Sequence, residues 1–201
     1  MPLLRNILIL LVCFLMPCCG NPVTTKDTAS ILQSLIDPAK LASLGERGAN
    51  SRVQKAVAIL WTAKQNGQDP AKVAGRAVEL IGWARTAKGK MTADALTRNL
   101  VIAERLGAVT PADIEAMSRG RSPTIRKGPY EGDIISVDHI VPRAVAPELD
   151  NVIANLEFMP LKLNQSKNDR IGDRQVSVAN ALRDAGLLSD EGLKRVLAQK
   201  P

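Results

Sequence analysis

IISVDHIVP, the sequence of residues 134–142, contains His139, the single histidine in a chain of 201 residues. The apolar run at residues 134–137 predicts a short strand that leads directly into Asp138 and His139. Pro142 has no backbone N–H for a sheet hydrogen bond, so we expect the strand to end before it. The histidine and its acidic neighbour therefore lie where a strand delivers them to a loop.

Two further segments follow at short distance. Residues 156–159 are apolar and are followed by Pro160, which predicts a second short strand. From Gln165 onward the sequence predicts a helix. Two strands and a helix that each carry polar residues near one end predict a small platform for a metal ion.

The polar residues of these segments suit hydrolysis of a phosphodiester bond. A neutral imidazole can accept a proton from water near neutral pH, because its unperturbed pKa is about 6.5, so His139 is a candidate general base. The carboxylate of Asp138 and the amide oxygen of Asn164 are hard ligands that suit Mg²⁺, which also binds substrate phosphate. Lys167 lies three residues after Asn164, so on a helix it would share that face and could reach a phosphate.

Three short motifs occur together in this order: Asp-His-Ile-Val-Pro at residues 138–142, Asn-Leu at 155–156 and Asn-x-x-Lys at 164–167. Together they resemble the motif of HNH endonucleases, also called ββα-metal or His-Me finger nucleases. The resemblance is to the Asp-His, Asn, Asn variety found in the HNH domains of RNA-guided CRISPR nucleases and of many phage and bacterial proteins. It covers roughly residues 119–185, and its specific part is residues 138–170.

The resemblance implies a role for each matching residue. His139 would be the general base, and Asp138 and Asn164 would bind one divalent ion, Mg²⁺ or Mn²⁺. Asn155 matches the middle Asn, which in the family braces the loop that carries the histidine. Lys167 matches a basic residue near the substrate phosphate. The family chemistry would be in-line attack at phosphorus with a 3′-hydroxyl leaving group.

Two features depart from the commonest family pattern. The third motif position is often His, and here it is Asn164, which leaves the metal with one fewer nitrogen ligand. Many relatives also carry paired Cys-x-x-Cys zinc sites, whereas this chain has no cysteine after Cys19. We therefore expect no structural zinc, and the small motif must be held together by packing.

An isolated Asp-His pair has a simpler interpretation. A lone histidine beside an apolar strand is more often a core residue with its hydrogen bonds satisfied than a catalyst, and Asp138 could merely fix its tautomer. Asn164 and Lys167 could likewise be an ordinary helix cap and a solvated lysine. The occurrence of all the motif elements in order and at suitable spacing favours the catalytic interpretation.

Composition limits the function less than the motif does. The chain has 27 Lys and Arg against 20 Asp and Glu, a net charge of +7, and hydrophobic residues make up 45% of it. A basic surplus suits a polyanionic partner such as DNA or RNA, but a surplus of this size is also common in proteins without one. Aromatic residues are only 2%, so the core must be mostly aliphatic.

Residues 1–20 have the pattern of an export signal. Arg5 is the positive residue, residues 7–16 are apolar and small residues follow. The apolar run is too short to span a membrane, which takes about 20 residues. We therefore expect export to the periplasm, the cell envelope or the exterior, without a transmembrane segment once the signal is removed. Cleavage after Gly20 and a lipid anchor at Cys18 are alternatives, as are an uncleaved anchor and a wrongly assigned start codon.

Residues 21–118 predict a helical bundle in which we find no chemistry. Apolar residues recur at helical spacing and caps delimit the segments. For example, Asp69 precedes Pro70, and Thr110 precedes Pro111 with Asp113 at the third position after the Thr. The predicted helices are 28–36, 38–44, 51–65, 70–88, 92–106 and 110–117.

A basic segment rich in Gly and Pro, residues 119–129, precedes the histidine strand. Its Arg126 and Lys127 are candidates for contact with backbone phosphates, although the segment is equally well explained as a linker. Arg143, just after the Pro142 turn, and Arg170, predicted to lie on the helix that Asn164 begins, are further candidates for phosphate contact. Arg143 is also explained as an ordinary surface arginine.

The sequence thus predicts an α+β, mostly α protein of three parts: a signal peptide at 1–20, a helical region at 21–118 and an HNH nuclease domain at 119–201, which ends in a C-terminal helix. The predicted function is metal-dependent endonuclease cleavage of DNA by an exported protein. RNA is not excluded as a substrate. One alternative is a secreted toxin nuclease with an immunity protein as its partner. The other is a nucleic-acid-binding module that keeps the fold without catalysis.

Overall fold

The computed structural model describes residues 24–42 and 50–200, so the predicted signal peptide at 1–20 and the end of the helix predicted at 38–44 lie outside them. The described chain is mostly helical with one two-stranded antiparallel sheet, which confirms the predicted α+β, mostly α class. None of the described helices is both long and apolar enough to cross a membrane. The helices are α1 Thr25–Ile36, α2 Pro38–Ala42, α3 Asn50–Gln65, α4 Pro70–Leu80, α5 Ala87–Arg105, α6 Pro111–Ser118, α7 Leu161–Lys167, α8 Asp173–Asp184 and α9 Asp190–Ala198.

The predicted helix starts at Asp69 and Thr110 are confirmed by their caps. The Asp69 side chain accepts a hydrogen bond from the N–H of Ala71, and Pro70 is the first residue of α4. Thr110 and Asp113 form a reciprocal capping box at the start of α6. Each cap satisfies backbone N–H groups that have no partner inside the helix, which fixes where the helix begins.

The predicted boundary between α4 and α5 is wrong. α4 ends at Leu80, well before the predicted end, and α5 begins earlier than predicted, with Thr86 as its N-cap. Gly82 and Arg85 both have positive φ, at 77° and 56°, a conformation that cannot continue a right-handed helix. The apolar pattern runs through this turn, so periodicity alone did not reveal the break.

The two strands are β1 Ile135–His139 and β2 Leu156–Pro160, close to the positions that the sequence predicts. They pair antiparallel, with Asp138 opposite Glu157 and His139 opposite Leu156. The basic segment before β1 folds back on it: the N–H of Ile135 donates to Pro123 O at 3.0 Å. Residues 119–129 are therefore an ordered part of the sheet region, attached to the start of the histidine strand.

The single helix predicted from Gln165 past residue 183 is two helices. α7 begins at Leu161, so Asn164 lies inside it, and α7 ends at Lys167. Asn168 has a φ of 52° and ends the helix. Arg170 lies in the connection to α8, so its predicted placement on the helix of Asn164 is wrong.

The helical region and the sheet share one hydrophobic core. Buried residues of α1, α3, α4 and α5 form one cluster with residues from the predicted nuclease part of the chain. The contributions from that part are Ile125, Ile135, Ile153, Leu156 and Phe158. Burying apolar side chains from both regions in one cluster ties the position of the sheet to the helices.

Asn99 of α5 connects the helices to the sheet through hydrogen bonds from its side chain to the backbone of β2. Its side chain is 1% exposed. Its Nδ2 donates to Leu156 O at 3.0 Å, and its Oδ1 accepts from the N–H of Phe158 at 2.6 Å. The amide therefore satisfies the free edge of β2 as a neighbouring strand would, and it aligns α5 along the sheet.

A second apolar cluster supports the loop between β1 and β2. Val141 and Leu149 of that loop are buried against Ala179 and Leu182 of α8 and Val196 of α9. The C-terminal helices therefore hold the loop that follows His139 by apolar packing.

Candidate active site

His139 is the last residue of β1, and its side chain lines a cleft of about 550 Å³. The other walls come from β1, from the turn that follows it and from α7 with its C-terminal turn. The lining residues are Val137, Asp138, His139, Pro142, Arg143, Ala144, Asn164, Gln165, Asn168 and Asp169. The cleft thus brings together three residues that the sequence predicts as a base and two metal ligands.

The His139 imidazole is held from one side by Asp150. Its Nε2 lies 3.0 Å from the backbone oxygen of Asp150 and 3.1 Å from that residue's Oδ1. A carbonyl and a carboxylate oxygen only accept hydrogen bonds, so Nε2 carries the proton. The neutral imidazole therefore has its lone pair on Nδ1, which is the nitrogen able to take a proton from a water molecule.

Asp150 is a site residue that sequence reasoning missed. It directly follows the buried Leu149 in the inter-strand loop and lies eleven residues after His139. Arg143 Nε lies 4.0 Å from its Oδ1. The only signal in the sequence is an acidic residue in a loop between two strands, which is too common to identify a partner for a histidine.

Asn155 braces the loop that follows His139 through hydrogen bonds to Val141. It is fully buried. Its Oδ1 accepts from the N–H of Val141 at 2.8 Å, and its Nδ2 donates to Val141 O at 2.9 Å. In addition, its backbone oxygen accepts from the N–H of Ile140 at 2.8 Å. The two residues after His139 are therefore fixed to the start of β2.

Asp138 and Lys167 form a close ion pair at the side of the cleft. The Lys167 ammonium also donates to His139 O at 2.7 Å and reaches Ile140 O at 3.4 Å. The Lys167 side chain is 15% exposed and that of Asp138 is 8% exposed. The lysine at the end of α7 is thus surrounded by oxygens of the histidine strand.

Burial raises the pKa of the Asp138 carboxyl above its usual range, and this outweighs the hydrogen bond from Lys167, which lowers it. The Glu157 carboxylate directly opposite on β2 adds to the increase. Glu157 is itself 5% exposed and is held by Arg174 of α8 through two hydrogen bonds of 2.6 Å. The sheet end therefore carries two buried carboxylates, each with its own cation.

The direction of the Asn164 amide follows from a chain of hydrogen bonds. The Ser136 hydroxyl donates to Met159 O at 3.1 Å, so it is left to accept from Asn164 Nδ2, also at 3.1 Å. The amide nitrogen is therefore turned to Ser136, and Oδ1 is the atom left for another partner. Ser136 is a second residue that the sequence did not reveal.

The donor set fits a divalent hard cation with few protein ligands. Asp138 supplies a carboxylate and Asn164 an amide oxygen, and both residues line the cleft. Mg²⁺ is commonly bound through one or two such oxygens while water and substrate phosphate complete its shell. The described residues contain no group of three or more His, Cys, Asp and Glu side chains placed for a metal, so a metal here would depend on the amide and on water.

The five cations that the sequence predicts to contact phosphate lie in different places. Arg143 lines the cleft itself. Arg170 and Lys167 line a neighbouring groove of about 620 Å³ on the other side of the α7 C-terminal turn. Asp169 belongs to both walls. The cleft and the groove therefore meet at this turn.

Arg126 and Lys127 are not among the residues that line the cleft. Arg126 forms an ion pair with Asp113 of α6 and donates to Thr124 O at 2.9 Å. The Lys127 side chain lies against Gly107 at the end of α5. Both residues have structural contacts with the helical region, and the phosphate contact proposed for them stays a prediction.

Comparisons of the chain with protein-family models, with curated proteins and with solved structures gave no match.

Proposed function

We propose that the protein is a metal-dependent endonuclease that hydrolyses phosphodiester bonds in DNA. The observation that carries the proposal is the His139 imidazole with Nε2 held by Asp150, at a cleft that it shares with Asp138 and Asn164. A general base needs a defined lone pair and a place for water beside it, and this arrangement supplies both. RNA has the same phosphodiester group, so it is a second substrate to test.

In this proposal each residue has one task. His139 Nδ1 takes a proton from the water that attacks phosphorus. Asp138 and Asn164 Oδ1 would hold one Mg²⁺ or Mn²⁺, and the bound ion would supply stabilisation of the charge on the phosphoryl and leaving oxygens. Arg143 contacts a phosphate oxygen beside the reacting group. Asn155 and Asp150 keep the imidazole in place.

Two alternatives share part of this geometry. A secreted toxin nuclease would use the same residues and would have an immunity protein as its partner. A binding module without catalysis would need no oriented imidazole, so the contact between His139 and Asp150 favours the enzyme. Export directed by residues 1–20 belongs to the proposal too, and fractionation of expressing cells followed by N-terminal sequencing tests it.

The deciding experiment is cleavage of supercoiled plasmid by the purified protein with Mg²⁺, Mn²⁺ or EDTA, beside His139→Ala. We expect nicking that needs metal and is lost in the variant, since no other histidine can replace this one. Nicking that survives His139→Ala would assign the activity to another site or to a contaminant. Folded wild-type protein that cleaves neither DNA nor RNA in any metal, yet binds nucleic acid, would support the binding module.

A further inference from the structure

The Lys167 ammonium already binds Oδ2 of Asp138, the carboxylate that would hold the proposed metal. Its three contacts are a carboxylate oxygen of Asp138 and the backbone oxygens of His139 and Ile140. A carboxylate with backbone carbonyls is a ligand set typical of hard cations in proteins. The Lys167 ammonium therefore occupies a position among oxygen ligands, one of which is the carboxylate of the candidate metal site.

This contact differs from an ordinary surface ion pair. An exposed pair contributes little, and its side chains separate readily in water. Here Asp138 is buried and Lys167 is mostly covered, so the carboxylate needs a nearby cation to remain charged. A divalent ion on Asp138 would supply that charge, and it would repel the ammonium at the same time.

The Lys167 side chain can reach a second position when a metal displaces it from Asp138. Lys167 lies at the C-terminal end of α7 and also lines the second groove, together with Arg170. A lysine stem has four rotatable carbons, so a rotamer change can turn the ammonium from Asp138 toward that groove. There it would face an anion, with Arg170 as a second positive charge.

We propose that Lys167 and the divalent ion are alternative partners of Asp138. In the metal-free protein the ammonium occupies the carboxylate, and metal binding releases it into the second groove, where it binds a substrate phosphate. The proposal depends on the proposed nuclease function, because it assigns the partner of that metal site. Lys167 thus neutralises Asp138 until the metal binds, and its ammonium then leaves the carboxylate.

The test is the affinity for Mn²⁺, measured by isothermal titration calorimetry without substrate. If the ammonium occupies Asp138 about nine-tenths of the time, Lys167→Met binds Mn²⁺ about tenfold more tightly than wild type does. Lys162→Met is the matched control, because Lys162 is an exposed lysine on the same helix and its loss changes the net charge equally. Asp138→Asn removes the site and gives the background.

The outcomes distinguish a failure of the exchange between Lys167 and the metal from a failure of the metal site itself. Unchanged or weaker Mn²⁺ binding by Lys167→Met, with wild-type binding that Asp138→Asn abolishes, overturns the exchange and leaves the metal site in place. Mn²⁺ binding that is absent from every variant removes the metal site and the exchange with it. If Lys167→Met does not fold by circular dichroism, Lys167→Gln is measured in its place, because its amide can still donate to the His139 oxygen without a charge.

Discussion

The side-chain amide of Asn155 binds both backbone groups of Val141, fourteen residues earlier in the chain, through hydrogen bonds of 2.8 and 2.9 Å. Asn155 is 0% exposed, and so is Val141. The pair closes the loop between β1 and β2 just after His139, and it leaves neither backbone group of Val141 without a partner. The position of the imidazole therefore depends on one buried amide that does not itself line the cleft.

Asn155→Leu is expected to destabilise the fold by about 3 kcal/mol, because it leaves a buried N–H and a buried carbonyl oxygen unsatisfied. Urea unfolding followed by circular dichroism measures this. The exposed Asn66 supplies the control, and Asn66→Ala should lie within about 0.5 kcal/mol of wild type. Equal stability of the two variants would show that the amide bonds are not needed to hold the loop.

The sequence predicted the elements of the site better than the contacts between them. The strand before His139, the strand after Asn155 and the grouping of Asp138 with Asn164 follow from apolar runs and from the motif. The roles of Asp150 and Ser136 do not, because they depend on how a loop folds back and on which way a hydroxyl donates. Such contacts are set by tertiary packing, which leaves no periodic signal.

The break between α7 and α8 shows the same limit for the fold. Residues 161–184 contain polar and apolar residues at helical spacing, so a single helix was predicted from Gln165 onward. The chain instead turns at Asn168, whose φ of 52° ends α7. A single Asn signals such a turn weakly, since Asn adopts both helical and left-handed conformations. The turn separates Arg170 from the helix and places it at the second groove.

Asp150→Asn is expected to lower kcat for plasmid or oligonucleotide cleavage on the order of tenfold with KM unchanged. The backbone oxygen of residue 150 still accepts from His139 Nε2, so the loss is partial. The removed carboxylate, 3.1 Å from Nε2, no longer favours the proton on that nitrogen. Single-turnover kinetics at saturating substrate separate this effect from binding.

Glu148→Gln is the matched control for that prediction. Glu148 lies on the same loop, but its carboxylate binds Arg195 and Ser189, away from His139. If both variants reduce kcat equally, the effect belongs to the charge or stability of the loop and Asp150 has no special relation to the imidazole. Melting temperatures of both proteins check that the comparison is made between folded enzymes.

Arg126→Met tests whether Arg126 acts on the fold or on the substrate. Burial raises the pKa of Asp113, but hydrogen bonds from Thr110 and Arg126 outweigh it and hold the pKa below the ordinary aspartate value of 3.8. A carboxyl with a lowered folded pKa stabilises the protein above pH 3.8, and that contribution is lost as the pH falls through the folded value. We therefore expect a loss of about 1 kcal/mol at pH 7, a modest value because Arg126 is 42% exposed.

The difference between Arg126→Met and wild type should shrink as the pH falls below 3.8 toward the lowered folded pKa of Asp113, where the carboxyl becomes protonated. Urea unfolding from pH 7 to pH 3 measures it. A stability difference that stays constant across this range would show that Arg126 acts through packing alone. Weaker DNA binding with unchanged stability at pH 7 would instead support the phosphate contact that the sequence predicts.

Ser136→Ala is expected to weaken Mn²⁺ binding about tenfold, because the hydroxyl fixes the direction of a ligand amide without touching the metal itself. In wild type the hydroxyl donates to Met159 O and accepts from Asn164 Nδ2, which leaves Asn164 Oδ1 for the metal. Without it the amide is free to turn, and its nitrogen can face the cation as often as its oxygen.

Ser166→Ala, on the exposed side of α7, is the control for this prediction. It removes a hydroxyl whose hydrogen bond goes to Leu163 O, and it should leave the affinity unchanged. Equal Mn²⁺ affinities for wild type and both serine variants in calorimetry would mean that Asn164 is not a ligand, or that its direction is set elsewhere; loss of binding in Asn164→Ala would then separate those two cases.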